Sequence, residues 1–313
     1  MGKFKEHLLI FLKGIGMGGA DVVPGVSGGT IAFITGIYEE LLDSIKAVDL
    51  EAFKLLISFK LPEFWRKING NFLLPLFLGI AVSLLTLSKL ILYLLDEHPI
   101  PVWSFFFGLI IISAILVLRP IKKWNVGVVI TLLAGIAIAY LITSATTSET
   151  PTDLWFIFLS GAIAICAMIL PGISGSFILL VLGKYEYIFK ALSNLDVVTI
   201  LVFMAGCVTG LLSFVRVVSY LFKKFHDLTI ALLAGFMLGS LNKVWPWKIP
   251  TAFRVDRHGE QVVAAAKNVM PNEYTEHFKT DPQLFTAILF LAIGILLVVG
   301  IEKVANYKIK PTQ

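Results

Sequence analysis

The chain has 313 residues, of which 57% are hydrophobic and 15% charged, with a mean hydropathy of +0.87. That is far more apolar and far less charged than a soluble domain, so a soluble globular protein is excluded. The formal charge of +5 and pI of 9.1 do not point to nucleic acid, because the basic residues lie mainly between apolar stretches, where they act as orientation signals.

In chain order, the N-terminus offers only the apolar run Leu8 to Leu12 before Lys13 and no small-residue cleavage pattern, so no cleaved secretory signal is expected. An apolar stretch over about 8–42 is broken by Gly and Pro. Unbroken stretches follow at about 72–95, 101–118 and 125–143, each close to the ~20 residues a helix needs to cross hydrocarbon. A second broken stretch covers about 154–192, and unbroken ones cover about 197–222, 228–245 and 284–301, with a polar insertion at about 246–283. Cys166 and Cys207 fall in apolar segments with no metal-type spacing; they read as packing residues, and no metal site is expected.

The two broken stretches are copies of one unit. Pro24-Gly25-Val26-Ser27-Gly28 recurs as Pro171-Gly172-Ile173-Ser174-Gly175 at an offset of 147, which also superposes Gly14 on Gly161, Gly36 on Gly183 and Tyr38-Glu39 on Tyr185-Glu186. The offset then drops to 127, matching Gly79 with Gly206 and Gly108 with Gly235, because the first copy carries about 20 extra residues between Asp49 and Gly70. The last span matches at 159, Gly135 with Gly294, after the insertion in the second copy. The reading is two repeats, 1–150 and 151–313.

Basic residues orient them. The 96–101 and 144–153 loops hold no Lys or Arg, whereas Arg119, Lys122 and Lys123, then Lys223 and Lys224, then Lys303, Lys308 and Lys310 mark the other side. Tracing back places the basic 43–70 stretch and the N-terminus, with Lys3, Lys5 and Lys13, in the cytoplasm as well. A segment whose two flanks share one side is a re-entrant hairpin, and three crossings per unit turn the second copy upside down. The expected fold is therefore an all-α integral membrane protein of two inverted-topology repeats, each a re-entrant helical hairpin plus three transmembrane helices, with both termini cytoplasmic. Lys184 and Lys190 fall on the predicted outer side and run against this pattern.

Non-helical backbone at membrane depth must be buried in protein or line a cavity. Pro24, Gly25, Pro171 and Gly172 supply the hinge of each tip, and Ser27 and Ser174 can cap the helix that starts next. Ser27, Gly28, Gly29 and Thr30, and Ser174, Gly175 and Ser176, then present helix N-termini suited to a phosphate or carboxylate. Interrupted helices from inverted repeats are how many secondary transporters build a substrate site. The competing reading is two kinked helices with small residues for close packing. The span after each tip carries a matched stripe, Gly79, Ser83, Thr86, Lys89 and Tyr93 against Gly206, Gly210, Ser213, Arg216 and Tyr220. Lys89 and Arg216 each lie ~10 Å from opposite ends of their spans; they read as phosphate contacts, with snorkelling to headgroups as the alternative. Asp21 faces Met168 in the match and is the one carboxylate near either tip, a candidate for coupling to a proton or sodium ion. Glu39 and Glu186, with Tyr38 and Tyr185, read as interfacial anchors. No other cofactor is expected.

The paired "ADVVPGVSGGT" and "ILPGISGSF" elements resemble those of the polyprenyl-phosphate transporter family, formerly a domain of unknown function, over essentially the whole chain. The resemblance implies a flippase of the bacterial plasma (inner) membrane that returns undecaprenyl phosphate from the outer to the inner leaflet for reuse in cell-wall polymer synthesis. Ser176 in place of Gly29 and Met168 in place of Asp21 set the second tip apart from the first. Two other readings stand beside it: a membrane enzyme like undecaprenyl-pyrophosphate phosphatase, and a transporter of small anions. The enzyme is disfavoured because His7, His98, His226, His258 and His277 all fall in tails, loops or span ends, leaving Ser27 and Ser174 without an adjacent base. Expected partners are polyprenyl phosphate and membrane lipids.

Overall fold

The structure is a computed structural model and describes residues 3–23, 25–146, 150–255 and 261–307. Pro24, Lys308 and Lys310 lie outside the described residues.

The chain begins with α1 (Lys3–Val22), α2 (Gly28–Ile34) and α3 (Tyr38–Lys46), followed by the short α4 (Leu50–Ile57) and α5 (Leu61–Lys67). Three long helices come next, α6 (Gly70–Glu97), α7 (Pro99–Leu118) and α8 (Val126–Ser144). The series then runs again as α9 (Leu154–Ile169), α10 (Gly175–Val181), α11 (Tyr185–Ser193), α12 (Val197–Lys224) and α13 (His226–Ser240), closing with α15 (Leu284–Tyr307). Helices α6, α7, α8, α12 and α15 are long and apolar enough to cross a membrane, and the chain is a multi-pass membrane protein.

One expectation is corrected. The stretch expected as the sixth span, 228–245, forms an apolar helix of 15 residues, shorter than the five above; just past its end Asn268 Nδ2 donates to the Asn242 carbonyl at 2.8 Å, and Asn242 Nδ2 donates to Ser144 Oγ at 3.0 Å. The insertion at 246–283 departs from an all-α chain. It folds as an antiparallel pair, β1 (Lys248–Val255) and β2 (Gln261–Asn268), and the helix α14 (Pro271–Phe278). Two indoles fasten it down: Trp245 Nε1 donates to the Val269 carbonyl and Trp247 Nε1 to that of Pro282, both at 2.8 Å.

Helix pairing follows the glycines. Helix α1 lies along α6 in the same direction, with Gly14 against Gly79 and Gly18 against Ser83, and a Cβ on Gly79 would stand 2.1 Å from the Phe11 carbonyl oxygen. Helix α9 lies along α12 likewise, and a Cβ on Gly206 would stand 2.0 Å from the Phe158 oxygen. The remaining long helices pair across the two halves. Gly108 of α7 abuts Leu291 and Gly294 of α15 abuts Phe105, while Gly135 of α8 and Gly235 of α13 face one another. Such contacts let backbones approach to dispersion distance where no water is available to drive association. The thiols serve the same packing: Cys207 Sγ donates to the Gly161 carbonyl and Cys166 Sγ to that of Gly210.

A methyl group tests this arrangement. Gly206→Ala drives a Cβ into backbone, so the solubilised protein should lose about 1–3 kcal/mol and melt at a lower temperature. Gly300→Ala, where a Cβ meets nothing within 4 Å, should melt like the parent. Equal melting temperatures for both variants would contradict the close α9–α12 contact.

Candidate functional site

Both breaks interrupt their helices by the same turn at glycine. Gly25 and Gly172 each take φ +88°, a left-handed conformation that glycine alone adopts without strain. The chain then turns extended at Ser27 (φ −129°, ψ 139°) and at Ser174 (φ −98°, ψ 132°) before starting the return helix. Gly36 and Gly183 repeat the device at the end of α2 and α10, at φ +70° and +63°.

The first break is closed upon itself. Ser27 Oγ accepts from the Gly29 amide at 3.0 Å, the Gly28 amide donates to Asp21 Oδ1 at 2.7 Å, and the Thr30 amide donates to the Ser27 carbonyl at 2.9 Å. An internal carboxylate therefore sits at the positive end of α2, where an anion is stabilised by the helix dipole. Val23, Val26, Ser27 and Thr30 are wholly buried. The second break is more open. Ser174 makes no side-chain cap bond and instead pairs with the Ser176 hydroxyl at 2.8 Å, and Ser176 is exposed.

The two breaks meet. Ser27 Oγ donates to the Met168 carbonyl at 3.1 Å, Thr30 Oγ1 accepts from the Gly172 amide at 3.1 Å, and Tyr38 OH donates to the Ile169 carbonyl at 3.2 Å. Gly29 allows this approach, since a Cβ there would stand 2.5 Å from the Ile169 oxygen. The carbonyls left unpaired where α9 ends are thus satisfied by side chains of the first break. The end of α13 backs both: a Cβ on Gly25 would meet Lys243 Cγ at 2.6 Å, and one on Gly172 the Phe236 oxygen at 2.8 Å.

Other expected residues lie apart from this junction. Of the two stripes, Gly79, Ser83, Gly206 and Gly210 are buried, whereas Thr86, Lys89, Tyr93, Ser213, Arg216 and Tyr220 are exposed. Lys89 and Arg216 form no hydrogen bond or ion pair with a described residue. The α1–α6 register places the first break level with Lys89, and the α9–α12 register places the end of α9 level with Arg216. Tyr38, expected as an interfacial anchor, is instead buried against the junction, because its hydroxyl is the donor the Ile169 carbonyl needs. Lys184 is buried too and donates to the Thr150 carbonyl at 2.8 Å, so it is a structural donor rather than a solvated loop charge. Lys243 and Lys248, beside the junction, were not legible as site residues; the only signal is that they bracket Trp245-Pro246-Trp247 with no acid nearby.

These features define a polytopic membrane protein in which two interrupted helices are joined by hydrogen bonds in the interior. The family model described as undecaprenyl phosphate translocase-like matches residues 17–262. The chain is 46% identical over 305 residues to a polyprenyl-phosphate transporter of Vibrio cholerae serotype O1, covering 97% of this chain and 99% of that protein. It is 35% identical over 254 residues to a polyprenyl-phosphate transporter of Staphylococcus aureus, covering 75% and 85%. No solved structure matches the chain. The chain belongs to the polyprenyl-phosphate transporter, undecaprenyl phosphate translocase-like, family.

Proposed function

We propose that the chain carries undecaprenyl phosphate, or a related polyprenyl phosphate, from the outer to the inner leaflet of the bacterial plasma membrane, for reuse in cell-wall polymer synthesis. The headgroup crosses at the joined breaks while the polyprenyl tail stays in the bilayer. The observation that carries this reading is the junction itself, the start of α2 joined by hydrogen bonds to the end of α9 and the turn into α10, in a chain whose relatives are named polyprenyl-phosphate transporters.

The proposed frame is two inverted repeats, 1–150 and 151–313, each with a re-entrant hairpin, and both termini in the cytoplasm. Helix directions support it. Helix α1 runs parallel to α6 and antiparallel to α2, whose Ile31 lies against Gly16, so the chain returns to the end where it began. Helix α13 runs parallel to α8, with Gly127 near Leu228 and Ser144 bonded to Asn242. Because α12 turns directly into α13, and α6 into α7 and then α8, α6 and α12 point in opposite directions.

In the proposed mechanism the headgroup phosphate binds Ser27, Gly28, Gly29 and Thr30 at one break and Ser174, Gly175 and Ser176 at the other, with Lys89 compensating its charge beside the first and Arg216 beside the second. Asp21 already holds the Gly28 amide. Phosphate and carboxylate therefore compete for one donor, and a proton or sodium ion on Asp21 releases it. That competition is the proposed coupling.

Two measurements test these readings. In vesicles, Gly28→Leu should lower undecaprenyl phosphate transport at least about tenfold, since a side chain there collides with Asp21, whose Oδ2 lies 2.6 Å from a Cβ at that position. Asp21→Asn should keep transport but lose its dependence on the ion gradient; parental behaviour in both variants would sink the junction as the path. For the frame, cysteines replacing Ser58 and Lys122 should label from one side, the cytoplasm, and labelling from opposite sides would remove both the hairpin and the inversion.

A further inference from the structure

We propose that Lys243 and Lys248 form a loading site for the phosphate monoester of a lipid, beside the junction and at the end of the molecule where α13 stops. This rests on the transport reading above and gives its outer station.

The two lysines are held together by the chain. Lys248 Nζ, on β1, donates to the Lys243 carbonyl at 2.6 Å and stands over the Trp103 ring of α7, 3.9 Å from its centroid. Lys243 Nζ stands over the Phe177 ring of α10 at 4.4 Å, and its stem lies against Gly25 of the first break. Five parts of the fold therefore converge here: the end of α13, the β-hairpin, α7, the first break and α10. Neither lysine has a carboxylate partner among the described residues, and Lys243 Nζ has no hydrogen-bond acceptor among them either.

Two ammonium groups packed among aromatic rings without a counter-charge are costly, because desolvation and mutual repulsion both oppose the charged forms. Burial, and then the neighbouring charge of Lys243, bring Lys248 down to about 7. An anion between them reverses both effects. A phosphate monoester carries about −1.5 to −2 charges and three acceptor oxygens, which matches two cations. The phosphodiester of an ordinary phospholipid carries a single charge, so the pair discriminates by charge between the carrier lipid and the bulk bilayer. Ring faces at Trp103 and Phe177 suit the first apolar units of a prenyl chain. Helix α7 begins and α8 ends at this end, the side that the loops without Lys or Arg, 96–101 and 144–153, mark as external in sequence, so in the proposed topology the site faces the outer leaflet.

The test is binding of farnesyl phosphate, inorganic phosphate and phosphatidylglycerol to the purified full-length protein in nanodiscs. Farnesyl phosphate should bind the parent, with Lys243→Gln and Lys248→Gln each weakening it about tenfold, Lys243→Arg largely preserving it and phosphatidylglycerol failing to compete. On the parent protein, bound farnesyl phosphate should also protect both lysines from amine acylation, a readout independent of how the variants fold. Parental affinity in the folded double Gln variant, or no protection, overturns the lysine site while leaving the transport reading standing. Lysine-dependent binding of inorganic phosphate without farnesyl phosphate overturns the lipid as ligand. A parent that binds neither overturns the site and the transport reading together.

Discussion

A helix that breaks inside an apolar interior must find partners for the amides and carbonyls it leaves open, and each one left unmet costs several kcal/mol in lipid. In this protein the first break answers the second. The Gly172 amide is met by Thr30 Oγ1, and the Met168 and Ile169 carbonyls by Ser27 and Tyr38. The second break is not complete alone, so the halves of the molecule are locked at the point where the chain is least regular. The glycines that pair α7 with α15 and α8 with α13 close the body around that lock. Parting the breaks exposes unmet groups, and a ligand rich in acceptor oxygens is the chemistry that offsets the exposed amides. The proposed transport cycle follows from this one constraint.

The breaks match in backbone but not in chemistry. Asp21 fills the first with a carboxylate bonded to Gly28, and the corresponding Met168 leaves the second without one. Ser27 caps α2 and reaches across the junction, whereas Ser174 pairs with an exposed Ser176. A symmetric frame thus holds one side closed by an internal anion and one side with hydroxyls turned outward. In the proposed mechanism the internal carboxylate gives way to the headgroup and then returns, which makes Asp21 the switch and the second break the more accessible acceptor.

Much of this was legible in the sequence because glycine leaves a sharp signature. Gly25 and Gly172 need positive φ, and Gly79, Gly206, Gly108 and Gly294 need backbone contact, so the offsets that superpose them carry physical content. Positions whose meaning depends on a distant partner were not legible. Tyr38 looks like an interfacial anchor until the Ile169 carbonyl appears opposite it, and the bond from Asn268 of β2 to Asn242, just past α13, joins residues 26 apart in the chain. Lys243 and Lys248 lie in an ordinary-looking polar connection, and only the fold sets Lys243 beside Gly25 and Phe177 and Lys248 over Trp103. The stripes show the same limit: periodicity found a common face, but its small half packs against α1 and α9 while its cationic half is exposed.

The most direct test of the junction as the headgroup's path is photo-crosslinking with a polyprenyl phosphate that carries its photoreactive group beside the phosphate, followed by peptide mapping of the membrane-embedded protein. The account predicts crosslinks in segments 23–30 and 170–177, removed by an excess of unlabelled polyprenyl phosphate. Crosslinks confined to the outward faces of α6, α8 and α15, with none at either break, would contradict it.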